Sequence, residues 1–315
     1  MAQPAGTVSS YDMSSNREDL SDLIAMISPT DTPFISACGK TKATNTKHEW
    51  QKDALEAAAA NANIEGDDDT PVADTQTTRV DNYTQILKKH AVVTGTQQDG
   101  MNHAGIKNMM ARKISKRMKE IKLDLELACI GPHNAKVAGN DTTARELGSL
   151  QTYITTNSDR GVGASEPTGD GSDVPGAGTN RDFTETLLTT VLQSCYDEGA
   201  NPKLMMLSAT NKNLVDGFDA GGTHYVDKDD KELINAVDVY VGGLGHTLKA
   251  VPSRHIFSED VLLIDPEYVK LADMRPIHSY DLAKTGDSHR KSIVWETTLE
   301  VCNEAAHAII GDTNG

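Results

Sequence analysis

The sequence predicts an α+β fold built around one very long helix. Residues 103–130 carry a continuous apolar stripe at helical spacing, the strongest single pattern in the chain. Residues 41–53 and 79–97 alternate apolar and polar side chains on either side of a long acidic segment, which indicates an extended β-hairpin. Short apolar runs typical of buried strands recur from residue 203 onward.

The composition limits what the chain can do. Its 315 residues suffice for one large or two ordinary domains, but only 37% are hydrophobic and 4% aromatic. We therefore expect extended segments whose apolar side chains find partners outside their own fold. The formal net charge of −16 argues against a sequence-independent grip on nucleic acid and favours solubility.

Cysteine usage and hydropathy indicate the compartment. Cys38, Cys129, Cys195 and Cys302 are far apart and form no CxxC pair, so we expect buried thiols in a reducing cytoplasm. No apolar run approaches the roughly 20 residues of a membrane span, and the N-terminus lacks a signal-peptide pattern. The sequence predicts a soluble protein that stays in the compartment where it is made.

Small and polar side chains dominate residues 1–18, which predicts an extended arm. A helix is expected to follow, capped by Ser15 or Asn16 and ended by Pro29. The apolar face of this helix would carry Leu20, Leu23, Ile24 and Ile27.

The apolar run after this helix ends in Gly39-Lys40-Thr41, which resembles the end of a phosphate-binding loop. Such a loop needs a glycine five residues before the Gly-Lys pair, and that position is Phe34. A side chain there blocks the backbone curl, so the nucleotide interpretation fails. Pro33 is instead expected to keep the chain extended, leaving Phe34 and Ile35 as an apolar anchor at the root of the hairpin.

The segment between the two alternating stretches, residues 54–78, contains six acidic residues, no basic residue and many alanines. It cannot bury enough apolar surface to pack against itself. A loop of that length is unusual in a compact domain unless it is functional. We therefore expect it to be the tip of a hairpin arm.

The long helix has two distinct faces. One carries the apolar stripe of Ile106, Met110, Ile114, Met118, Ile121, Leu125 and Ala128. The other carries Lys107, Arg112, Lys113, Lys116, Arg117, Lys119 and Lys122. Gly131-Pro132 ends the helix. The basic face is either simply solvated or docks on the acidic hairpin of another subunit, and the sequence leaves both interpretations open.

The second half of the chain mixes loop and regular structure. Residues 133–182 are rich in Gly, Thr, Ser, Asn and Asp and should be mostly loop, anchored by LGSLQTYI at 147–154. A helix is expected at 183–199, then a strand at 203–209 and a helix at 210–218, which make a βα unit. Further strands are expected at 237–242, 246–252, 261–265, 268–274, 292–302 and 305–312, the last two joined by a tight connection at Asn303-Glu304.

Motifs that would carry chemistry are absent from the sequence. There is no HExxH, CxxC or GxGxxG pattern. Residues 163–167 resemble a nucleophile elbow but lack its last glycine, and residues 227–230 lack the glycine and the terminal glutamate of a calcium loop. Asp67, Asp68 and Asp69 could hold a divalent cation only weakly. We expect no catalytic, cofactor or specific metal site.

The order of the parts is more informative than any motif. Four stretches carry a resemblance to a known family, which extends over nearly the whole chain. They are LSDLIAMISPTDTPFIS (20–36), HEWQKDAL (48–55), VDNYTQILKKHAVVTGTQ (80–97) and VLLIDPEYVKLADMRPI (261–277). The chain resembles the tailed-bacteriophage major capsid proteins of the Hong Kong 97-type fold. It is most similar to the branch typified by the coliphage SU-10 capsid protein.

This resemblance implies a division of the chain into the segments of that fold. Residues 1–40 would be the N-arm with its anchoring helix, and 41–97 the E-loop hairpin. Residues 98–182 would form the P-domain with the spine helix and the glycine-rich loop. Residues 183–280 would form the A-domain, and 281–315 the strands that return to both domains.

The resemblance also implies a structural role without enzymatic activity. Copies of the chain would assemble as hexamers and pentamers into an icosahedral head shell around double-stranded DNA, with the hairpin lying over a neighbouring subunit. Further partners would be a separate scaffolding protein, a portal protein and a decoration protein. The protein would be made in the host cytoplasm and end in the virion. Nothing marks Lys88 or Lys89 as a crosslinking residue, so we expect non-covalent closure.

The residues expected to contact neighbouring subunits lie on the anchor, the hairpin and the basic helix face. They are Phe34, Ile35, Trp50, Glu65, Asp67, Asp68, Asp69, Arg79, Lys113, Lys116 and Arg117. An encapsulin-like compartment remains an alternative within the fold. A surface or adhesin-type protein is an alternative from another class, for which the Thr/Gly/Asp-rich segment at 155–182 is the only support.

Overall fold

The computed structural model describes residues 29–56, 58–66, 76–100, 108–218 and 239–314. The helix expected within residues 16–28, the first part of the expected long helix at 103–107 with Ile106 and Lys107, and residues 219–238 lie outside these ranges. The described α-helices are α1 Pro33–Ala37, α2 Met109–Ile130, α3 Glu185–Asp197 and α4 Ala209–Val215.

Twelve strands are described, and they form three sheets. In chain order they are β1 Gly39–Lys42, β2 Lys47–Lys52, β3 Thr78–Tyr83, β4 Gln85–Thr94, β5 Ser158–Asp159, β6 Leu204–Leu207, β7 Val239–Val241, β8 Thr247–Pro252, β9 Val261–Ile264, β10 Val269–Asp281, β11 Ser288–Val301 and β12 Ala308–Ile310.

The first sheet has the strand order β1-β10-β11-β4 and carries α2. β1 is parallel to β10, and the other pairs are antiparallel. Ile121 and Leu125 of α2 pack with Leu87 and Trp295 of the sheet in one large buried core. Lys89 of β4 adds an ion pair to Asp124 of the helix at 2.8 Å. The apolar stripe thus fixes α2 on the sheet.

The second sheet has the strand order β5-β12-β9-β6-β8-β7 and packs against α3. Leu188, Leu192 and Cys195 of α3 lie with Met205 and Leu263 in a second buried core. β6 and β8 are parallel, and α4 follows β6 directly, so the βα unit expected here is confirmed. The third sheet is the two-stranded β2-β3 hairpin.

The glycine-rich stretch 133–182 is mostly irregular, as expected, with one 3-10 turn at Leu150–Thr152 and the short β5. The predicted anchor at 147–154 is confirmed, since Leu147, Leu150, Tyr153 and Ile154 are all buried. Asp312 fastens the loop farther along. Its carboxylate accepts the N–H groups of Gly161 at 2.9 Å and Gly178 at 2.7 Å.

Three local expectations were wrong. The pattern at 41–53 predicted one strand, but β1 and β2 belong to different sheets. Likewise 79–97 is divided into β3 and β4, and at the break Thr84 donates its N–H to the carbonyl of Thr46 at 2.9 Å. Pro33 does not keep the chain extended, because it starts α1, where a missing N–H costs nothing.

The C-terminal strands also differ from expectation. β11 begins at Ser288, four residues earlier than predicted, and β12 covers only Ala308–Ile310. A 3-10 turn at Glu304–Ala306 joins them. The two strands lie in different sheets, so this connection passes between the two sheets and closes no hairpin.

Candidate functional site

The hairpin arm has a paired stem and an exposed tip. β2 pairs with β3 in an antiparallel register that places Trp50 opposite Val80 and Lys52 opposite Thr78. Beyond Lys52, every described residue from 53 to 66 is exposed. Leu55 is 99% exposed and Ile64 is 82% exposed. The stem is therefore paired, while the described part of the tip contacts little of its own subunit.

Asn82 secures the root of the arm. Its side chain is completely buried and uses both of its polar atoms. Oδ1 accepts the Gly148 N–H at 2.9 Å, and Nδ2 donates to the carbonyls of Leu299 at 2.9 Å and Gly148 at 3.3 Å. The Asn82 side chain thus connects the hairpin to β11 and to the buried anchor at 147–154 of the glycine-rich stretch.

A second polar contact joins β2 to β11. His48 Nε2 lies 2.9 Å from Glu300 Oε2, and Lys270 Nζ lies 3.6 Å from Oε1 of the same carboxylate. The hydrogen bond with His48 holds the pKa of Glu300 below its usual value, although burial acts in the opposite direction. The carboxylate therefore stays ionised beneath the arm.

Aromatic packing supports the same root. The rings of Trp50 and Tyr153 lie 6.1 Å apart and tilted. The Tyr153 hydroxyl donates to the carbonyl of Asp81 at 3.0 Å, and Lys136 pairs with the Asp81 carboxylate at 3.2 Å. Burial raises the pKa of Tyr153 well above its usual value, so its hydroxyl remains a donor.

A buried carboxylate lies where the arm leaves the body. Glu296 of β11 pairs with Arg145 at 2.7 Å and with Arg275 at 2.5 Å, and Thr84 donates to it at 3.2 Å. The Glu296 side chain is only 3% exposed, and two cations compensate its charge. These three interactions connect the glycine-rich stretch 133–182, β10 and the β3–β4 junction to one carboxylate of β11.

The described basic residues of α2 have different surroundings. Lys113 donates to the carbonyl of Val92 at 2.7 Å, and Arg117 pairs with Glu120 at 2.5 Å. Lys116 is exposed. No described carboxylate lies within ion-pair distance of Lys116, Lys119 or Lys122. Within the described ranges, the positive charge of these three lysines is therefore not balanced by an acidic side chain.

The predicted apolar anchor packs inside its own subunit. Phe34 is fully buried and Ile35 nearly so, both in the core with α2. Glu126 of α2 accepts the N–H groups of Phe34 at 2.8 Å and Ile35 at 2.9 Å. These are free donors at the start of α1, which a carboxylate satisfies. Burial nevertheless raises the pKa of Glu126 to about 7, against the lowering effect of these two bonds.

The remaining expected contact residues belong to the hairpin arm. Glu65 is exposed near the tip, and Arg79 lies 3.5 Å from Glu49 across the hairpin. Trp50 is half-buried against the body, and its indole Nε1 has no hydrogen-bond partner among the described residues. Asp67, Asp68 and Asp69 lie outside the described residues.

The residues that root the arm were not found from the sequence. Glu296 and Glu300 stand in the antiparallel strand β11, where a charged residue usually indicates a solvated face. Both are buried because the arm and the long loop cover that face. The spacing of four between two acids within SIVWETTLEVC was the only available signal.

Neither a metal centre nor a membrane segment emerges from the described ranges. No group of three or more His, Cys, Asp or Glu side chains there is arranged to hold a metal ion. No described helix has the length and apolarity needed to cross a bilayer. Cys129 and Cys195 are buried, Cys38 and Cys302 are half-buried, and all four are free thiols.

Comparison with known proteins identifies the family. The SU10 major capsid protein family matches residues 6–314. The chain belongs to this family. A major capsid protein of Escherichia phage Phieco32 is 25% identical over 346 residues, covering 98% of this chain and 97% of the relative. The chain is a phage major capsid protein, which makes it a virion component, and its family is structural rather than enzymatic.

Comparison with solved capsid structures identifies the fold. The capsid asymmetric unit of cyanophage A-1(L) matches with a TM-score of 0.68 at 14% identity, covering 97% of this chain and 98% of that one. The capsid of a native GTA particle matches with a TM-score of 0.61 at 12% identity, covering 95% of both chains. The Hong Kong 97-type fold is thereby confirmed, and the encapsulin-like and adhesin alternatives find no support.

Proposed function

We propose that this capsid protein assembles as hexamers and pentamers into the icosahedral head of a tailed double-stranded DNA phage, and that its hairpin arm closes the contacts between subunits. The observation that carries this proposal is the contrast between the root and the tip of the arm. The root is held by Asn82, Glu300 and Glu296, whereas Leu55 and Ile64 beyond it are exposed. Exposed apolar side chains on an arm that is held at its root are suited to burial against the surface of a neighbouring subunit.

The arm supplies a modest contact that an assembly repeats many times. Burying one leucine or isoleucine contributes about 2 kcal/mol, so a single tip contact is weak and reversible. A closed shell repeats the contact at every subunit. The assembled shell is therefore stable, while a wrongly placed subunit can still dissociate. A two-stranded hairpin is only marginally stable alone, which explains why its root needs so many bonds to the body.

The tip is expected to dock near the basic face of a neighbour's α2. Glu56 and Glu65 are exposed carboxylates on the arm, and Lys116 is an exposed cation with no described partner. Arg117 and Lys113 border the same face, and we keep Asp67, Asp68 and Asp69 as expected partners from the arm. Opposite charges would orient the arm, and the apolar residues would hold it.

The division into N-arm, E-loop, P-domain and A-domain is part of the proposal, with the boundaries at residues 40, 97, 182 and 280. We also propose that the protein is made in the host cytoplasm and that separate scaffolding, portal and decoration proteins are its partners. A chain with a net charge of −16 suits a shell that must admit DNA without clamping it. Closure is proposed to be non-covalent.

A shortened arm tests this function. Replacing residues 54–76 with Asn-Gly should close the stem with a two-residue turn and leave its described root contacts intact. We expect a folded protein that stays as small species in size-exclusion chromatography and electron microscopy, with or without a co-expressed scaffolding protein, while the full chain forms shells. Normal shells from the shortened chain would overturn the role of the arm. A full chain that stays monomeric under all these conditions would overturn assembly itself.

A further inference from the structure

An open groove runs along one side of α2. It has a volume of about 400 Å³ and is lined by Ala111, Ile114, Ser115, Met118, Lys119 and Lys122. We call it the α2 groove. Ile114 and Met118 are half-buried and continue into the large core, whereas the two lysines are exposed at its edge. The groove therefore has an apolar floor and a basic rim.

The side of α2 that carries the groove also carries the contact with α1. Ala111, Ser115, Lys122 and Glu126 are separated by steps of four, seven and four, which places them on one side of a helix. Glu126 is the residue that accepts the N–H groups of Phe34 and Ile35. The chain before α1 thus approaches α2 at one end of the stripe that lines the groove.

We propose that residues 17–28 of the same chain occupy the α2 groove. The length of the connection permits it. Phe34 lies seven residues after Ile27, a span of up to about 23 Å when extended. Met118 lies eight residues before Glu126, about 12 Å along the helix. A segment that leaves the Glu126 contact can therefore lie over Met118 without reaching another subunit.

The chemistry of the segment matches that of the groove. Leu20, Leu23, Ile24 and Ile27 recur at steps of three, one and three, the spacing of one helical face. They would cover the apolar floor formed by Ile114 and Met118.

The charges of the segment match the rim. Glu18, Asp19 and Asp22 outnumber the single cation Arg17 in this stretch. Lys119 and Lys122 have no described carboxylate within ion-pair distance, so acids from the segment would compensate them.

This contact is distinct from the proposed seat of the hairpin arm. Lys116 follows Ser115 by one residue, which turns its direction by about 100° around the helix. The two surfaces are neighbours on α2 and can be occupied together. The inference concerns a single subunit and holds whether or not shells form, so its failure would leave the proposed assembly untouched.

Crosslinking of the full chain tests the proposal directly. A carbodiimide joins a carboxylate to an amine only when the two are in contact. With an equal mixture of ordinary and ¹⁵N-labelled subunits, we expect peptides joining Asp19 or Asp22 to Lys119 or Lys122, with both halves carrying the same isotope. Peptides of mixed isotope would assign the groove to a neighbour's segment and overturn the proposal. Absence of any crosslink between this segment and the groove would overturn it as well.

Hydrogen exchange provides the second measurement, with a variant chosen to fold. Ser115 is exposed in the groove, so Ser115→Glu adds bulk and negative charge without disturbing the core. We expect the amides of residues 20–27 to lose protection by about tenfold or more in this variant. The control is Ser258→Glu, an exposed serine far along the chain, which should leave their exchange unchanged. Equal protection in Ser115→Glu and in the wild type would exclude the groove as the seat of the segment.

Discussion

Asn82 and Gly148 are joined by two hydrogen bonds, from the Gly148 N–H to Oδ1 at 2.9 Å and from Nδ2 to the Gly148 carbonyl at 3.3 Å. The glycine belongs to the anchored loop that follows α2, and the asparagine lies at the root of the hairpin arm. A third bond reaches Leu299 of β11 at 2.9 Å. The arm is therefore attached to two separate parts of the body by one buried amide.

Removing this amide should destabilise the subunit. Asn82→Ala leaves the Gly148 N–H and the Leu299 carbonyl buried without a partner, and we expect the free energy of unfolding to fall by about 3 kcal/mol. Urea denaturation of the unassembled protein measures the change. The matched control is Asn45→Ala, whose exposed amide accepts only from neighbouring Thr46 and should cost less than about 1 kcal/mol. Equal losses in the two variants would refute the special role of Asn82.

Glu126 should give the subunit a distinctive pH dependence. Its pKa is raised from 4.5 to about 7 in the folded protein, so between these values the folded state holds a proton that the unfolded chain has released. Its contribution to stability is complete below about pH 4.5 and is lost as the pH rises through about 7, a change of roughly 3 kcal/mol. Urea unfolding across this range, in wild type and Glu126→Gln, should show the stability of wild type relative to the variant falling by roughly 3 kcal/mol as the pH rises. A constant difference would contradict it.

His307 should act in the opposite direction. Its ring is buried between β11 and β12, where Nδ1 accepts the Asp265 N–H at 3.3 Å, and burial lowers its pKa from 6.5 to about 4. As the pH falls from about 6.5 to about 4, the unfolded chain binds a proton that the folded protein does not, which costs roughly 3 kcal/mol of stability.

The His307→Gln variant should therefore gain roughly 3 kcal/mol of stability relative to wild type as the pH falls over that range, as measured by the same urea titrations. Because the effects of Glu126 and His307 oppose each other, the wild-type profile should be flatter than that of either variant. Variants with profiles as flat as wild type would show that neither group titrates as described.

Charge on α2 should affect assembly in a salt-dependent way. If the acidic arm docks near Lys116 and Arg117, then reversing both to glutamate should raise the concentration needed for assembly by about tenfold at low salt and about twofold near 1 M. Light scattering of assembly mixtures measures both values. Reversal of Lys249 and Lys284, exposed cations elsewhere on the subunit, is the control. Equal loss at both salt concentrations would exclude an electrostatic contact.

The sequence predicted the parts whose signals are periodic. The stripe from Met110 to Ala128 gave α2, and the alternation at 47–52 and 78–83 gave the hairpin stem. It failed at the breaks near Ala43 and Thr84, because alternation continues when a strand leaves one sheet for another. Periodicity records which side of the chain is buried and carries no information on which strand covers it.

The contacts that root the arm could not be predicted because their partners are distant in the sequence. Asn82 and Leu299 are 217 residues apart, and Phe34 and Glu126 are 92 apart. In the sequence, Glu126 is indistinguishable from the solvated charged residues of the same helix. Its burial is explained only by the free N–H groups of α1, which its carboxylate accepts. Polar residues of this kind are recognised only when both ends of the contact are known.

A reconstruction of the assembled shell by electron cryomicroscopy tests the central claim most directly, namely that the rooted arm closes contacts between subunits. We predict closed icosahedral particles in which residues 53–66 of each subunit lie on a neighbouring subunit and carboxylates of the arm lie near Lys116 and Arg117 of its α2. Leu55 and Ile64 should be buried there. Closed particles in which the arm folds back onto its own subunit, with the neighbour's α2 left bare, would contradict the account.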